Sequence, residues 1–218
     1  MKAFPKYPNL YENGRFLFTA SAYPGTCHFE ERIRREGGLE YREFRPDRSK
    51  LAAAIAKNIS QVGIKPGNNV LYLGASHGYT PSFISDMVGK HGMIFGIDVA
   101  PQVVRNLYFV SQKRNNIAPI LANCNHPESY QHLIVQCDIL YQDIAQRNQV
   151  EIFLKNLQFL KKGGFGILAI KSRSIDVTKK PKLIFKQVRL EMEKKITVVD
   201  YRELDPFEKD HALFVLKK

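Results

Sequence analysis

From Pro46 onward, short apolar runs alternate with stretches of helix-forming residues, and this rhythm restricts the fold more than any other feature of the chain. Val70-Leu71-Tyr72-Leu73, Met93 to Ile97, Ile117 to Ala122, Cys137 to Tyr141 and Phe165 to Ile170 are largely apolar, as expected of strands covered on both faces. The intervening segments read as helices. Ser49 to Lys57 is rich in helix formers just after Pro46, and a second helix starts at Pro81 with Thr80 as its N-cap. Further helices are expected over Val103 to Lys113, Val150 to Leu160 and Lys182 to Lys194, the fourth of the five ending at Lys161-Lys162-Gly163-Gly164 with glycine as stop signal. Strands alternating with helices give a mostly parallel, doubly wound sheet. Ile196 to Arg202 and Ala212 to Leu216 close the chain with no helix between them, so they should pair antiparallel, because a parallel return needs a long crossover.

Residues 1–45 read differently. Aromatic runs such as Arg15-Phe16-Leu17-Phe18 are punctuated by Asn13-Gly14, Pro24-Gly25 and Gly37-Gly38, the look of a small β-rich region with hairpins. The expected division is therefore a small N-terminal β-rich region, 1–45, and a main α/β domain, 46–218. At 218 residues, 44% hydrophobic and 25% charged, the chain has enough material for one substantial core. No apolar run is long enough to span a bilayer and no signal-peptide core opens the chain, so a soluble, cytoplasmic protein is expected. Cys27, Cys124 and Cys137 are far apart and form no CxxC pair, so neither a zinc site nor a disulfide framework is expected. No histidines stand at metal-ligand spacing, and no metal is expected.

The charge balance adds a partner class. With 33 Lys and Arg against 21 Asp and Glu the net charge is +12, which favours polyanionic partners, nucleic acid above all. A basic surface kept for solubility is the plainer alternative. Seven Lys and Arg lie between Lys179 and Lys195, and Arg32, Arg34, Arg35, Arg42, Arg45 and Arg48 form a second group interleaved with acids. Both groups are candidates for phosphate contact, a solvated face being the alternative. No sequence-reading RNA motif accompanies them.

Ligands of doubly wound sheets bind beyond the carboxyl ends of the strands. The first strand of the main domain runs into Gly74-Ala75-Ser76-His77-Gly78-Tyr79-Thr80. Its glycine spacing, G-x-x-x-G, is not the dinucleotide fingerprint and argues for a nucleoside cofactor without phosphates, S-adenosylmethionine. Asp98 ends the second strand about two dozen positions on, where a carboxylate can accept from both ribose hydroxyls; capping the following helix is its alternative role. Asn123 follows the third strand and offers an amide oxygen to an adenine amino group. Asp143 follows the fourth and is placed to face a cationic sulfonium. A seven-stranded sheet with such a loop is the layout of S-adenosylmethionine-dependent methyltransferases.

The chain resembles the fibrillarin family of guide-directed RNA 2′-O-methyltransferases, its archaeal members in particular. The resemblance rests on Gly38 to Phe44, Arg48 to Ile55, Val70 to Ser76, Asp143-Ile144-Ala145-Gln146, Lys161 to Gly164, Ala169 to Asp176 and Pro206 to His211. It implies a Rossmann-like seven-stranded S-adenosylmethionine-dependent methyltransferase sheet. It also implies a donor pocket of Tyr79, Thr80, Asp98, Val99, Asn123, Cys124, Asp143, Ile144, Ala145 and Gln146, with Gly74 and Ala75 in the loop. By the same resemblance Lys50, Asp143, Lys171 and His211 occupy the positions of a catalytic tetrad. Tyr79 stands where a threonine is common, Asp98 where a glutamate is usual, Asn123 for an aspartate, Phe44 for a tryptophan and Arg147 for a proline. The partners implied are a box C/D guide RNA with target rRNA or tRNA, a Nop-domain scaffold protein and a kink-turn-binding protein of ribosomal type.

A ribose hydroxyl is a poor nucleophile, so its proton must be drawn away as the methyl arrives. Lys171, at the end of the fifth strand, is expected to orient and activate it, with Asp143 fixing that lysine and Lys50 and His211 completing the network. Two other readings stay open from the residues: a non-catalytic subunit of an RNA–protein particle, and a methyltransferase acting on a protein or a small molecule.

Overall fold

In the computed structural model, which describes residues 1–218, two sheets form. The first comprises β1 (Lys2–Ala3), β2 (Leu10–Asn13), β3 (Phe16–Ala20), β4 (Ile33–Glu36) and β5 (Leu39–Glu43). All its pairings are antiparallel, in the order β1-β2-β3-β5-β4, with Asn13-Gly14 and Gly37-Gly38 at the two hairpins. The chain continues through α1 (Lys50–Ala56), β6 (Asn69–Leu73), α2 (Tyr79–Val88), β7 (Met93–Asp98), α3 (Pro101–Ser111), β8 (Ile117–Leu121), β9 (Cys137–Gln142) and α4 (Gln149–Asn156). It ends with β10 (Leu160–Lys171), α5 (Ser172–Ile175), α6 (Pro181–Glu193), β11 (Thr197–Glu203) and β12 (His211–Lys217).

The second sheet has seven strands in the order β11-β12-β10-β9-β6-β7-β8. Strands β6 to β10 run parallel, and β12 inserts antiparallel between β10 and β11. The mostly parallel seven-stranded sheet and its antiparallel closing strand are thus as expected. Strand order reverses between β6 and β9, and at such a point the loops diverge and leave a crevice.

Alternation along the strands sorts the core. Val70, Tyr72, Ile139, Tyr141, Ile167, Leu213 and Val215 pack with α1, α2 and α3 on one face. Leu71, Leu73, Leu140, Leu168, Ile170 and Phe214 pack with α4 and α6 on the other. Five consecutive residues of α1, Leu51 to Ile55, are buried, because the small sheet covers the side of the helix that the large sheet does not. No helix is long and apolar enough to cross a membrane.

Several boundaries differ from the sequence reading. α2 begins at Tyr79 with Gly78 as its cap, since the cap backbone is left-handed (φ +92°) and suits glycine, not Thr80. α3 begins at Pro101, where proline's fixed φ suits the first turn. α4 stops at Asn156 and a 3₁₀ turn, Leu157–Phe159, leads straight into β10. Lys161 to Gly164 therefore lie in a strand, not at a helix end. The ladder to β9 shifts between Leu160 and Phe165, and the extra residues bulge out.

The small sheet is joined to the main one by a buried ionic network. The Arg42 guanidinium donates to Glu31 (2.7 Å), Asp86 (2.8 Å) and the Ser82 hydroxyl (2.9 Å), and Arg114 donates to the other Asp86 oxygen at 2.7 Å. Thr19 adds a hydroxyl to Asp86 at 2.8 Å. The four charged side chains are wholly inaccessible, and two arginines balance two carboxylates. Burial pushes the Glu31 carboxyl up, but the Arg42 charge and hydrogen bond, with further hydrogen bonds from the backbone and the Cys27 thiol, more than offset this and hold it at about 2 against an ordinary 4.5. A depressed carboxyl stabilises the fold above its unfolded value and loses that contribution as pH falls through the folded one. About 3 kcal/mol of stability should therefore disappear between pH 4.5 and 2. Urea unfolding followed over this range should show that limb, and Glu31→Gln should flatten it; an unchanged acid slope in the variant would assign the loss to other groups.

Candidate functional site

The crevice at the strand-order reversal is built by loops stitched to one another beyond the strand ends. Gly74 N and Ala75 N donate to the Ile97 carbonyl (2.9 and 3.0 Å), and Asp143 N donates to the Leu73 carbonyl at 2.9 Å. Gly74 has φ +80°, and a Cβ placed on it would sit 2.3 Å from the Asp143 carbonyl oxygen. The loops after β6 and β9 thus touch backbone to backbone, which only glycine permits. Thr80 lies inside the first turn of α2, and its hydroxyl donates to Ser49 Oγ, the N-cap of α1, at 3.0 Å.

Two adjoining cavities open there. The first, of about 310 Å³, is lined by Gly74, Asp98, Val99, Asn123, Cys124, Asp143, Ile144, Ala145 and Gln146 from the expected donor pocket. Ser76, Asn125 and Ile152 complete it. Its wall carries two carboxylates and no cationic side chain, which disfavours a phosphate and suits a nucleoside bearing positive charge. The second, of about 380 Å³, shares Gly74, Ser76 and Asp143 and holds the other expected residues, Ala75, Tyr79 and Thr80. Phe29, Arg48, Tyr72, His77 and Pro81 also line it. The expected set is thus divided between two lobes that meet at Gly74 and Asp143, a shape suited to a two-part cofactor such as S-adenosylmethionine.

Asp98 accepts from Ser76 N (3.0 Å) and from Ala100 N (3.2 Å), the cap residue of α3, so it has both expected roles available. Each of its oxygens keeps a lone pair for a ribose hydroxyl. Asn123 departs from the sequence reading. Its amide oxygen accepts from Asn125 N (3.0 Å) and Asn125 Nδ2 (3.3 Å), so an adenine amino group must compete for it. Asn125 also reaches Gln146 (3.3 Å) and Asn148 (2.8 Å), tying the loop after β8 to the loop after β9. Burial pushes the Cys124 thiol up to about 12, with Asp98 adding to the shift, so it stays protonated and inert. Tyr79 packs edge-on against Phe29 with ring centres 5.4 Å apart, and the Arg48 guanidinium lies 4.4 Å over its ring. Burial raises the Tyr79 phenol, which has no partner.

Lys50 is the first residue of α1, and its ammonium lies 3.0 Å from the Asp143 carboxylate. Burial disfavours the charged lysine, as does the positive end of the helix. Asp143 outweighs them, with Glu208 helping, and raises the Lys50 pKa. Asp143 therefore fixes Lys50 and not Lys171, contrary to the pairing expected from the sequence; the Lys171 side chain is exposed.

Lys171 and His211 stand opposite each other at the end of the β10/β12 ladder. Alternation places both on the face carrying Ile167, Leu213 and α1, the face from which Lys50 enters. His211 Nδ1 lies 2.7 Å from the Lys209 carbonyl. A carbonyl can only accept, so Nδ1 carries the hydrogen of this bond. No group of three or more His, Cys, Asp or Glu side chains is disposed to hold a metal.

The two basic segments separate in character. Arg42 is buried in the ionic network and cannot meet a phosphate. Arg32, Arg35 and Arg45 are paired with Glu43, Glu40 and Asp47. On α6, Lys182 and Lys186 are exposed, as is Lys194 just past its end, and Arg189 is paired with Glu193. The helix remains a candidate for phosphate contact; of the arginine group burial removes Arg42, and the paired exposed members carry neighbouring acids that partly neutralise them.

The fibrillarin family model matches residues 3–218. A fibrillarin-like rRNA/tRNA 2′-O-methyltransferase from Pyrococcus horikoshii is 42% identical over 219 residues, spanning 98% of this chain and 96% of its own. The structure of Aeropyrum pernix fibrillarin with natively bound S-adenosyl-L-methionine superposes with a TM-score of 0.90 at 39% identity, covering 99% of this chain and 96% of that one. A fibrillarin/Nop5p complex contains a chain matching at TM-score 0.90 and 34% identity, covering 100% of both.

Proposed function

The chain belongs to the fibrillarin family, and on that premise we propose that it is a guide-RNA-directed ribose 2′-O-methyltransferase using S-adenosylmethionine, the catalytic subunit of a box C/D ribonucleoprotein. The observation that supports the reading is a two-lobed crevice whose first lobe is lined by carboxylates and no cation, with Asp143 at the junction of the lobes bonded to Lys50. Bound S-adenosylmethionine supplies an electrophilic methyl group on a sulfonium. Asp98 receives the ribose hydroxyls of the nucleoside half, Val99, Cys124 and Ile144 flank the base, and Tyr79 and Thr80 border the amino-acid half. Asp143 faces the positive sulfur while its bond to Lys50 keeps the carboxylate in place. Lys171 orients the target 2′-hydroxyl, and His211, opposite it on β12, offers Nε2 as the acceptor of the departing proton. General-base help of this kind is worth roughly 10²–10⁴-fold.

The chain carries no sequence-reading RNA motif, so another component chooses the nucleotide. The reading assigns that choice to a box C/D guide RNA paired with rRNA or tRNA. A Nop-domain scaffold protein, of the kind seen with the relative solved with Nop5p, and a kink-turn-binding protein of ribosomal type complete the particle, which works in the cytoplasm.

Transfer of a labelled methyl group to a guide-paired RNA in the reconstituted particle tests the proposal. Wild type should label the target and leave a single-site 2′-deoxy target unlabelled. Lys171→Ala should lower the rate by at least about 100-fold while donor affinity changes less than threefold. No label despite confirmed assembly and donor binding would mean a non-catalytic assembly subunit. Label that persists on the 2′-deoxy target would place the methyl elsewhere.

A further inference from the structure

Three hydrogen bonds join the residues just after Lys171 to the residue just before His211. Ser172 N and Ser172 Oγ both donate to the Asp210 carbonyl, at 3.0 and 2.9 Å, and Arg173 Nε donates to the Asp210 carboxylate at 3.0 Å. The other arm of Arg173 donates to the Val177 carbonyl at 2.9 Å, so the guanidinium is held from two sides. Ser172 is buried, and Asp210 adopts a left-handed backbone (φ +60°), which aspartate accepts more readily than most residues.

The position of this cluster gives it meaning. Lys171–His211 is the last pair of the β10/β12 ladder, and ladder ends fray. The bond from Ser172 N to the Asp210 carbonyl continues the pairing one step past that end, and the Arg173–Asp210 ion pair closes it. Resting on the ribose methyltransferase reading, we propose that Arg173 and Asp210 are positioning residues: they form a clasp that fixes the spacing and orientation of Lys171 and His211 toward the ribose hydroxyl. Neither lines either lobe of the crevice. The ion pair is partly exposed, with side chains 44% and 22% accessible, and such pairs add little to global stability. Its effect therefore belongs in the rate, because small misplacements of reacting groups can cost up to about 100-fold.

The clasp also bears on His211 itself. The loop it closes contains Lys209, whose carbonyl sets the imidazole tautomer. Loosening Asp210 frees that carbonyl and lets the ring exchange its hydrogen between nitrogens.

The test uses single-turnover methyl transfer in the reconstituted particle at saturating donor and guide-paired RNA. Arg173→Ala, and Asp210→Gly, which tolerates the left-handed backbone, should each slow transfer by about tenfold or more. Donor affinity and the KM for RNA should stay within twofold, the double variant should be no slower than the slower single one, and Arg173→Lys should recover part of the rate. Nitrogen NMR of the His211 ring on the isolated protein gives a readout independent of activity: hydrogen on Nδ1 in wild type, mixed tautomers in Asp210→Gly. Additive losses with a raised KM and an altered salt dependence would instead make Arg173 an RNA phosphate contact and overturn the clasp. Unchanged rates with an unchanged ring spectrum would also end it. If wild type transfers no methyl, the functional reading fails, and the ring spectrum alone decides the clasp.

Discussion

Gly74→Ala should eliminate measurable donor binding and lower stability by about 2–4 kcal/mol. Two penalties combine. The backbone at Gly74 is left-handed, which alanine adopts only at a cost, and the new methyl would meet the Asp143 carbonyl oxygen at 2.3 Å. Neither backbone is a flexible tip that can swing aside, so the loop after β9 must retreat. Asp143 retreats with it, and Asp143 borders both lobes and holds Lys50. Calorimetric titration with S-adenosylmethionine should show at least a 100-fold loss of affinity, and thermal unfolding a fall of roughly 5–15 °C for a chain of this size. Binding within threefold of wild type would mean that the two loops are not in the contact described.

The second large effect lies far from the chemistry. Arg42→Met keeps most of the side-chain volume but strands Glu31 and Asp86 as buried carboxylates with only Arg114 to balance them. Breaking a buried ionic cluster on one side costs about 3–5 kcal/mol, because the partner charges stay out of water. Equilibrium unfolding in urea at pH 7 should show that loss. Arg42→Lys should recover little of it, since an ammonium cannot span Glu31, Asp86 and Ser82 as the guanidinium fork does. A loss below about 1 kcal/mol would show that water or rearrangement compensates the network. The consequence reaches the crevice as well: Glu31 also accepts from Phe29 N at 2.9 Å, and Phe29 lines the second lobe.

The parallel strands of the main sheet were readable in advance because strands covered on both faces must be apolar throughout, and Val70 to Leu73 or Phe165 to Ile170 have no other stable setting. Asp98 and Asp143 were readable for a related reason: a doubly wound sheet gathers its chemistry just past the strand ends, so position in the pattern is position in the site. What escaped was information carried by distant pairings. Phe29 comes to the second lobe through the loop that Arg42 anchors at Glu31, and Arg48, from the turn before α1, joins it there by donating to the Phe29 carbonyl at 2.8 Å; nothing near Phe29 in the chain announces it. Ser76 and His77 lay within the glycine loop, and their presence in the crevice could have been read from that alone. Arg42 looked like one more surface cation, because a buried guanidinium differs from an exposed one only by its partners, here contributed from 44 residues away. Lys161 to Gly164 misled because two glycines after a helix usually end it, whereas here they let a strand bulge.

The place of β12 bears on how the molecule comes into being. It follows every other strand in chain order, yet it lies inside the sheet, between β10 and β11. During synthesis the parallel strands can assemble as they emerge, but β11 has no neighbour to join until residues 211–217 have left the ribosome. A nascent chain therefore holds an open slot along β10, with Lys171 at its rim and no histidine opposite. The residues that line the crevice at β6, β7 and β9 are all made long before His211 is. Completion of the large sheet is thus a single late insertion, and a chain that stalls before it leaves both β10 and β11 with an open edge.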